Sequence, residues 1–304
     1  MPKALPSDSL SPHERRRSVL KLKDIRIRDP FILTDKEQGC YYMYGTTALE
    51  EGSTRAGSTF SVYKSYDLES FDGPKVVFDG SRSGLAADKD YWAAEVHKYR
   101  GRYYLFGSCK ADGKCRGTYI FVSDTPDGDF VPLSPEPITP HGWECLDGTL
   151  VIEDGRPYMV FCHEWVQIGD GEIYALELSD DLSRPIGEPI LLFRASESPD
   201  AEPIPGHPSS YVTDGPFLYR EGERLVMIWS SLGQGRYLVL RAESDTVRGP
   251  WVQRESAFDF DGGHAMLFDR LDGERMIALH SPNTTGHERA VFLEYLQRKR
   301  KDTP

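Results

Sequence analysis

Residues 146–165 of the chain read LDGTLVIEDGRPYMVFCHEW and carry the features of one β-hairpin. An acidic opening at Asp147 leads into the apolar run TLVI, the turn Asp154-Gly155 follows, and a second apolar run, YMVF, ends before Cys162. Two short apolar runs joined by a tight Asp-Gly turn are a strong signal for antiparallel strands. This stretch therefore predicts two paired strands.

The same pattern recurs along the chain. Four further second runs read YYMY, YYLF, LVMI and MIAL, and each follows a turn that combines glycine with charged residues. A hairpin unit that recurs five times, without a convincing helix, predicts an all-β fold, namely a five-bladed β-propeller. The alternative is an irregular β-sandwich whose hairpins resemble one another by chance.

The geometry of a propeller predicts where the polar ends of these strands meet. The first strand of each blade lines the central channel, so the starts of the five first strands lie at one end of the axis. We expect the residues that open them to meet there, and these are Asp29, Glu95, Asp147, Asp214 and His264. The second strands return further polar residues to the same end, among them His163 and Glu164. So many carboxyl groups in one depression cost electrostatic and desolvation free energy, which favours a functional role.

Such a cluster suits the hydrolysis of a glycosidic bond with inversion. One carboxylate removes a proton from water, and one protonated carboxyl group delivers a proton to the leaving oxygen. A third carboxylate nearby raises the pKa of the acid by repulsion between like charges. Acidic residues also gather around calcium or bond the amides of turns, so the residues alone leave those two alternatives open.

The composition limits the choice of partners and of compartment. Acidic residues outnumber basic ones by 48 to 36, a net charge of −12, so we expect neither a nucleic-acid nor an anionic-membrane partner. No apolar stretch is long enough to span a membrane and no apolar leader is evident, so we expect a cytoplasmic protein. The five cysteines include no CxxC pair and predict no zinc site, while a Cys109–Cys115 disulfide stays open.

The repeats also predict the domain boundaries. We expect the propeller to occupy residues 23–296. It would follow a polar N-terminal extension, residues 1–22, and precede a basic C-terminal tail, residues 297–304, that contains the run RKRK at 298–301.

Five segments, taken in order, resemble glycoside hydrolase family 43, which includes α-L-arabinofuranosidases, arabinanases and β-xylosidases. They span residues 23–295 and read IRIRDPFIL with YYMYGTT, DYWAAEVHKYRGRYYLFGS, LDGTLVIEDGRPYMVFCHEW, VTDGPFLYREGERLVMIWSS, and DGGHAMLFDRLDGERMIALHSPN. Any one segment alone is a weak match, whereas the ordered set is specific. The resemblance implies a catalytic domain of five blades.

The resemblance also implies roles for individual residues. Asp29 matches the general base, and Asp147 matches the aspartate that orients the acid and modulates its pKa. Asp214 stands at the position of the general acid, where the family usually has glutamate before Gly-Pro. Because aspartate is one methylene shorter, Glu164 is the alternative general acid, and a sugar-binding protein without catalysis is a further reading.

The remaining candidates concern the sugar and the axis. His264 matches the histidine that lies near the axis in this family, often beside water or a calcium ion; a structural calcium held through water is therefore one expectation, and a hydrogen-bonded core histidine is the alternative. No cofactor is expected to be required. Substrate contacts are predicted for Phe31, Trp92, Glu95, His163, Trp165, His264 and Arg289.

The sequence thus favours an exo-acting inverting glycosidase that releases terminal α-L-arabinofuranose or β-D-xylose from a small plant-type oligosaccharide. An endo-acting arabinanase is a less favoured alternative, since it needs a surface cleft. A non-catalytic carbohydrate-binding propeller and another five-bladed sugar enzyme, such as a fructosidase or a phosphorylase, are two other classes. The sugar, the linkage and the oligomeric state do not follow from the sequence.

Overall fold

A computed structural model of the protein describes residues 19–47, 56–258 and 260–295. Five antiparallel sheets stand around a central axis, and helices within the described residues are limited to single turns. The predicted all-β class and the predicted five-bladed β-propeller are confirmed.

Each sheet is one blade. The strands of blade 1 are β1 (Val19–Lys21), β2 (Arg28–Asp35), β3 (Cys40–Thr46), β4 (Thr59–Ser65) and β5 (Ser70–Asp79). Those of blade 2 are β6 (Lys89–Tyr99), β7 (Arg102–Lys110), β8 (Gly117–Ser123) and β9 (Val131–Pro132). Blade 3 contains β10 (Cys145–Glu153), β11 (Arg156–His163), β12 (Glu172–Leu178) and β13 (Pro185–Arg194). Blade 4 contains β14 (Asp214–Glu221), β15 (Arg224–Gly233), β16 (Arg236–Ser244) and β17 (Val252–Arg254). Blade 5 contains β18 (Gly263–Asp269), β19 (Arg275–Ser281) and β20 (Arg289–Glu294).

The first strands of the blades, β2, β6, β10, β14 and β18, contact one another around the axis. Blades pack face to face through buried aliphatic and aromatic side chains, with the largest cluster shared by blades 1, 2 and 5. Trp229, which is fully buried, lies in the cluster between blades 3 and 4. Short helical turns occur at α1 (Gly80–Ser83) and α2 (Trp165–Ile168).

Every first strand carries a β-bulge near its start. The pairing register shifts there in all five blades, and one residue of each bulge has positive φ. These residues are Asp29, Ala93, Asp147, Gly215 and His264. A bulge re-aims the side chains around it, which is how a strand can direct a polar group into the mouth of a channel. The common register predicted for the five opening residues is therefore wrong in two blades: Glu95 lies two positions after the bulge residue, and Asp214 lies one before it.

A ring of hydrogen bonds joins neighbouring blades at the level of the bulges. In four joints the backbone N–H of the bulge residue donates to a side chain at the end of the second strand of the preceding blade. The pairs are Ala93 with Thr46 Oγ1 at 2.9 Å, Asp147 with Ser108 Oγ at 2.9 Å, His264 with Ser230 Oγ at 2.8 Å, and Asp29 with His280 Nδ1 at 3.2 Å. Cys162 holds the corresponding place in the fifth joint, where Gly215 donates to the Asp147 carboxylate instead.

The seam between blade 5 and blade 1 closes the propeller. The carboxylate of Glu288, fully buried, pairs with Arg28 at 3.1 Å and with Arg26 at 3.4 Å. Blade 5 has three strands within residues 260–295, and β1 completes the outer edge of blade 1 by pairing with β5. The predicted boundary between extension and propeller thus falls after a strand of blade 1, while residues 1–18 and 296–304 lie outside the described residues.

Membrane-spanning helices and disulfide bonds are both absent from the described residues. No helix within the described residues is long and apolar enough to cross a membrane. All five cysteines carry free thiols, so Cys109 and Cys115 are not bridged.

Candidate active site

Asp29 occupies the bulge of β2 with its carboxylate held by two neighbours. Thr46 Oγ1 donates to Oδ2 at 2.8 Å, and His264 Nδ1 lies 3.2 Å from Oδ1. Burial by itself raises the pKa of Asp29, but His264 and Arg28 outweigh it and bring the pKa below its ordinary value. With a side chain 11% exposed, Asp29 is an ionised carboxylate that still reaches the solvent side.

His280 lies next to Asp29 as a neutral imidazole ring. Its Nδ1 accepts the Asp29 N–H, so the ring proton belongs on Nε2, which faces Asn283 Oδ1 at 3.3 Å. Burial lowers the pKa of His280 to about 4, which agrees with that tautomer. His280 was not among the predicted site residues; its only sequence signal is a polar residue at the end of the apolar run MIAL.

Asp147 lies in the bulge of β10, 5% exposed, and faces the same histidine as Asp29. Its Oδ2 accepts the Gly215 N–H at 2.9 Å and lies 3.7 Å from His264 Nδ1. Burial, followed by the charge of Asp29, raises the pKa of Asp147 well above the ordinary value. One imidazole nitrogen therefore contacts two carboxyl groups that differ in proton affinity.

Asp214 opens β14 and has the properties of a proton donor. Burial and the neighbouring Asp147 raise its pKa to about 7, against smaller opposing effects of His264 and the Tyr237 hydroxyl. Tyr237, from the start of β16, donates to Asp214 Oδ2 at 2.9 Å. The next residue, Gly215, has φ +49°, and a Cβ there would come within 2.7 Å of the His264 ring, so glycine is required at this position.

Glu164 lies near this cluster at the end of β11, directly before α2. Its nearest charged partner is Arg116, whose Nε is 3.6 Å from Glu164 Oε2. Burial raises the pKa of Glu164, and Arg116 opposes the shift. The Arg116 guanidinium lies 3.6 Å from the centroid of the Trp92 ring, in a cation–π contact. Sequence reasoning missed Arg116, because nothing in its local sequence separates it from an exposed arginine.

Three of the residues predicted to contact substrate come from blades 2 and 3. Trp92 is half-buried under Arg116, and Trp165 is half-buried in α2 with its ring 6.4 Å from that of His207. His163 stacks on Trp143 at 4.4 Å and pairs with Gln167 at 2.7 Å. Whether they bind sugar stays a prediction.

Three other residues predicted to contact substrate lie inside the channel or at the seam between blades 5 and 1. Glu95, buried, pairs with His97 at 3.0 Å within the channel. Phe31 is 5% exposed and packs edge-on against His97 at 5.1 Å, so its ring fills the channel rather than facing its mouth. Arg289 donates to the carbonyl oxygens of Lys23 and Glu288, which uses its guanidinium to hold the seam.

The resemblance implies a calcium ion on the axis, held by His264 through water. No set of three or more His, Cys, Asp or Glu side chains there is arranged to hold a metal ion. His264 directs Nδ1 at Asp29 and Asp147, which leaves that nitrogen engaged. The His264–calcium contact through water stays a prediction.

A five-bladed propeller with carboxyl groups of unequal proton affinity at one end of its axis has the architecture and the acid–base pair of a glycoside hydrolase. The family model described as Glycosyl hydrolases family 43 matches residues 22–304. The chain belongs to this family and is a glycosidase that hydrolyses O-glycosyl bonds, as its sequence predicted.

Several characterised proteins resemble the chain over most of its length. An endo-arabinase structure from Bacteroides thetaiotaomicron VPI-5482 is 41% identical, covers 92% of this chain and 98% of its own, and superposes with a TM-score of 0.84. The extracellular exo-α-(1→5)-L-arabinofuranosidase ArbA of Cellvibrio japonicus is 23% identical over 274 residues, which are 81% of this chain and 72% of ArbA. An α-L-arabinofuranosidase structure from Lactobacillus brevis shares the fold at 15% identity, a TM-score of 0.72, and coverage of 92% and 95%.

Proposed function

We propose that the protein is an inverting, exo-acting glycosidase that releases terminal α-L-arabinofuranose or β-D-xylose from small plant-type oligosaccharides. In this proposal Asp29 is the general base, Asp214 is the general acid, and Asp147 sets the pKa of the acid. The opposite pKa shifts of Asp29 and Asp214 carry the proposal, because inversion needs one ionised and one protonated carboxyl group at the same pH.

The proposed reaction is a single displacement. Asp29 accepts a proton from a water molecule, whose oxygen bonds to the anomeric carbon on the face opposite the leaving oxygen. As the glycosidic C–O bond breaks, Asp214 gives its proton to the leaving oxygen, so the products are a sugar of inverted configuration and an alcohol. Thr46 and His264 fix the Asp29 carboxylate through the two contacts to its oxygens, which holds the base in one orientation.

Asp214 is preferred to Glu164 as the acid because of its neighbours. The charge of Asp147 adds to burial in raising the pKa of Asp214, whereas the cation nearest to Glu164 stabilises the ionised form. A cation next to a general acid lowers the pKa of that acid, so less of the acid is protonated when the leaving oxygen has to accept the proton. Glu164 is therefore the second choice.

Arabinose is the favoured sugar. Two similar proteins support this choice by name: the endo-arabinase structure, which is 41% identical to the chain, and the exo-α-(1→5)-L-arabinofuranosidase ArbA, which is 23% identical. The similarity of 41% to an endo-arabinase makes endo cleavage of arabinan the second candidate function.

The test is the product pattern on arabino-oligosaccharides labelled at the reducing end, with xylo-oligosaccharides as comparison. The proposal predicts release of one arabinose per turnover from the unlabelled end, with ¹H NMR showing the inverted anomer first. Internal fragments would establish the endo alternative, and a retained anomer would refute inversion. Binding without turnover on every sugar would leave a carbohydrate-binding propeller.

A further inference from the structure

The hydroxyl of Tyr237 touches the carboxyl group of Asp214 directly. Its O–H donates to Asp214 Oδ2 at 2.9 Å, and the side chain is 3% exposed. Burial, followed by the charge of Asp214, raises the pKa of Tyr237 well above the ordinary value, so the phenol keeps its proton and acts as a donor. The bond therefore persists in both protonation states of Asp214.

The surroundings of Tyr237 leave its ring little freedom. The backbone N–H donates to Asp261 Oδ1 at 3.0 Å, and the carbonyl oxygen accepts the Gly262 N–H at 2.9 Å. The ring stacks on His280 with centroids 5.5 Å apart and planes 22° apart. Gly263 also lies against the ring, since a Cβ there would come within 2.3 Å of it. The hydroxyl is thus a fixed donor, and Asp214 has to orient itself to it.

We propose that Tyr237 is the positioning residue of the general acid. By occupying Oδ2, its hydroxyl leaves the acidic proton of Asp214 on Oδ1, from which it is delivered. This inference rests on the proposed role of Asp214 as acid. In the step itself the Oδ1–H bond breaks, the proton bonds to the leaving oxygen, and the electron pair stays on the carboxylate, where the Tyr237 bond stabilises the new charge.

This role predicts that the bond strengthens during the reaction. A hydrogen bond to a carboxylate is stronger than one to a neutral carboxyl group, so Tyr237 stabilises the transition state more than the ground state. The rate increase that Tyr237 provides depends on how much protonation the leaving group needs. A leaving group that departs as a stable anion draws little on the acid, whereas a sugar alcohol depends on it fully.

The experiment compares Tyr237→Phe with wild type on two kinds of substrate, an arabino-oligosaccharide and a 2,4-dinitrophenyl α-L-arabinofuranoside. We expect kcat on the oligosaccharide to fall by about 10- to 100-fold, and kcat on the dinitrophenyl glycoside to change by less than about threefold. The alkaline limb of kcat/KM should move to higher pH, because the lost bond favoured the ionised form of Asp214. Tyr91→Phe is the matched control, since it removes a buried hydroxyl that bonds the Ala87 carbonyl and the Cys109 side chain and no carboxyl group.

The outcomes separate this inference from the function on which it rests. Equal losses on both substrates, or an unmoved alkaline limb, would show that Tyr237 only supports the structure. If Asp214→Asn retains activity on the oligosaccharide, the assignment of the acid fails instead. Should Tyr237→Phe lower the melting temperature more than Tyr91→Phe does, Gly263→Ala provides a second way to displace the hydroxyl, and the same dependence on the leaving group is expected.

Discussion

The carboxylate of Asp147 accepts the backbone N–H of Gly215 at 2.9 Å, and this bond joins blade 3 to blade 4. At the other four joints the acceptor is a hydroxyl or imidazole from the end of a second strand, but at this joint that place belongs to Cys162. Asp147 is thereby fixed beside the residue that precedes Gly215, namely Asp214. Burial raises the pKa of Asp214, and the carboxylate recruited at this joint, Asp147, raises it further.

The pH dependence of kcat/KM should be bell-shaped with its maximum on the acid side of neutrality. Asp214 acts in its protonated form, so activity is present below its pKa of about 7 and falls as the pH rises through that value. Asp29 acts in its ionised form with a lowered pKa, so activity persists until the pH falls below the ordinary range of aspartate. Rates measured between pH 3 and 9 check this, and an alkaline limb absent up to pH 9 would contradict it.

Replacing Asp214 by Asn and Glu164 by Gln should identify the acid. We expect Asp214→Asn to reduce kcat on an arabino-oligosaccharide by about 10²- to 10⁴-fold and to remove the alkaline limb. Glu164→Gln should keep that limb, since its carboxyl group is paired with Arg116. The reverse pattern would assign the proton to Glu164. Dinitrophenyl glycosides serve as the control, because they need little protonation.

Thr46 contributes both to the joint between blades 1 and 2 and to the low pKa of Asp29. Its hydroxyl accepts the Ala93 N–H and donates to Asp29 Oδ2. Thr46→Val should lower the free energy of unfolding by about 1–3 kcal/mol, because a buried N–H loses its partner. It should also move the acid limb to higher pH, since the lost bond lowered the pKa of Asp29. Thr46→Ser restores the hydroxyl and should match wild type in urea unfolding and in the pH profile; unchanged behaviour of the valine variant would refute the link.

Cys162→Ser places a hydroxyl at the joint between blades 3 and 4, where the second strand of the preceding blade has neither a hydroxyl nor an imidazole at that position. The new oxygen competes with Asp147 for the Gly215 N–H, so we expect kcat to fall about tenfold as Asp147 loses its fixed orientation. The melting temperature should not fall, because the joint keeps an acceptor. Cys162→Ala removes the sulfur without offering an oxygen and should retain more activity than the serine variant. Equal activity of the two variants would count against the competition.

The strands and the blade count followed from the sequence because they depend on local patterns. Alternating apolar runs and Gly-containing turns specify hairpins, and an ordered set of five leaves few other architectures. Asp29, Asp147 and His264 each lie in the bulge of a first strand, and the structure brings their side chains together.

The positions of the remaining residues relative to the bulges could not be predicted from the sequence. A bulge adds a residue without a fixed sequence signature, so Glu95 was aligned with Asp29 although Ala93 holds that position. Tyr237 and His280 reach the cluster from a third and a second strand, where a polar residue among apolar ones resembles a core residue. Arg116 reaches it from the loop before β8, where its sequence resembles that of an exposed arginine. Their roles depend on packing between blades, and no spacing along the chain encodes it.

The closure of the seam has a consequence for the nascent chain. Asp29 belongs to the first blade, yet His264, His280 and the Glu288 that pairs with Arg28 all come from the fifth blade. Contacts of such long sequence separation form late in folding. A ribosome-bound chain that lacks blade 5 therefore carries Asp29 without the imidazoles that hold it, and the carboxylate acquires these contacts only after blade 5 has been synthesised.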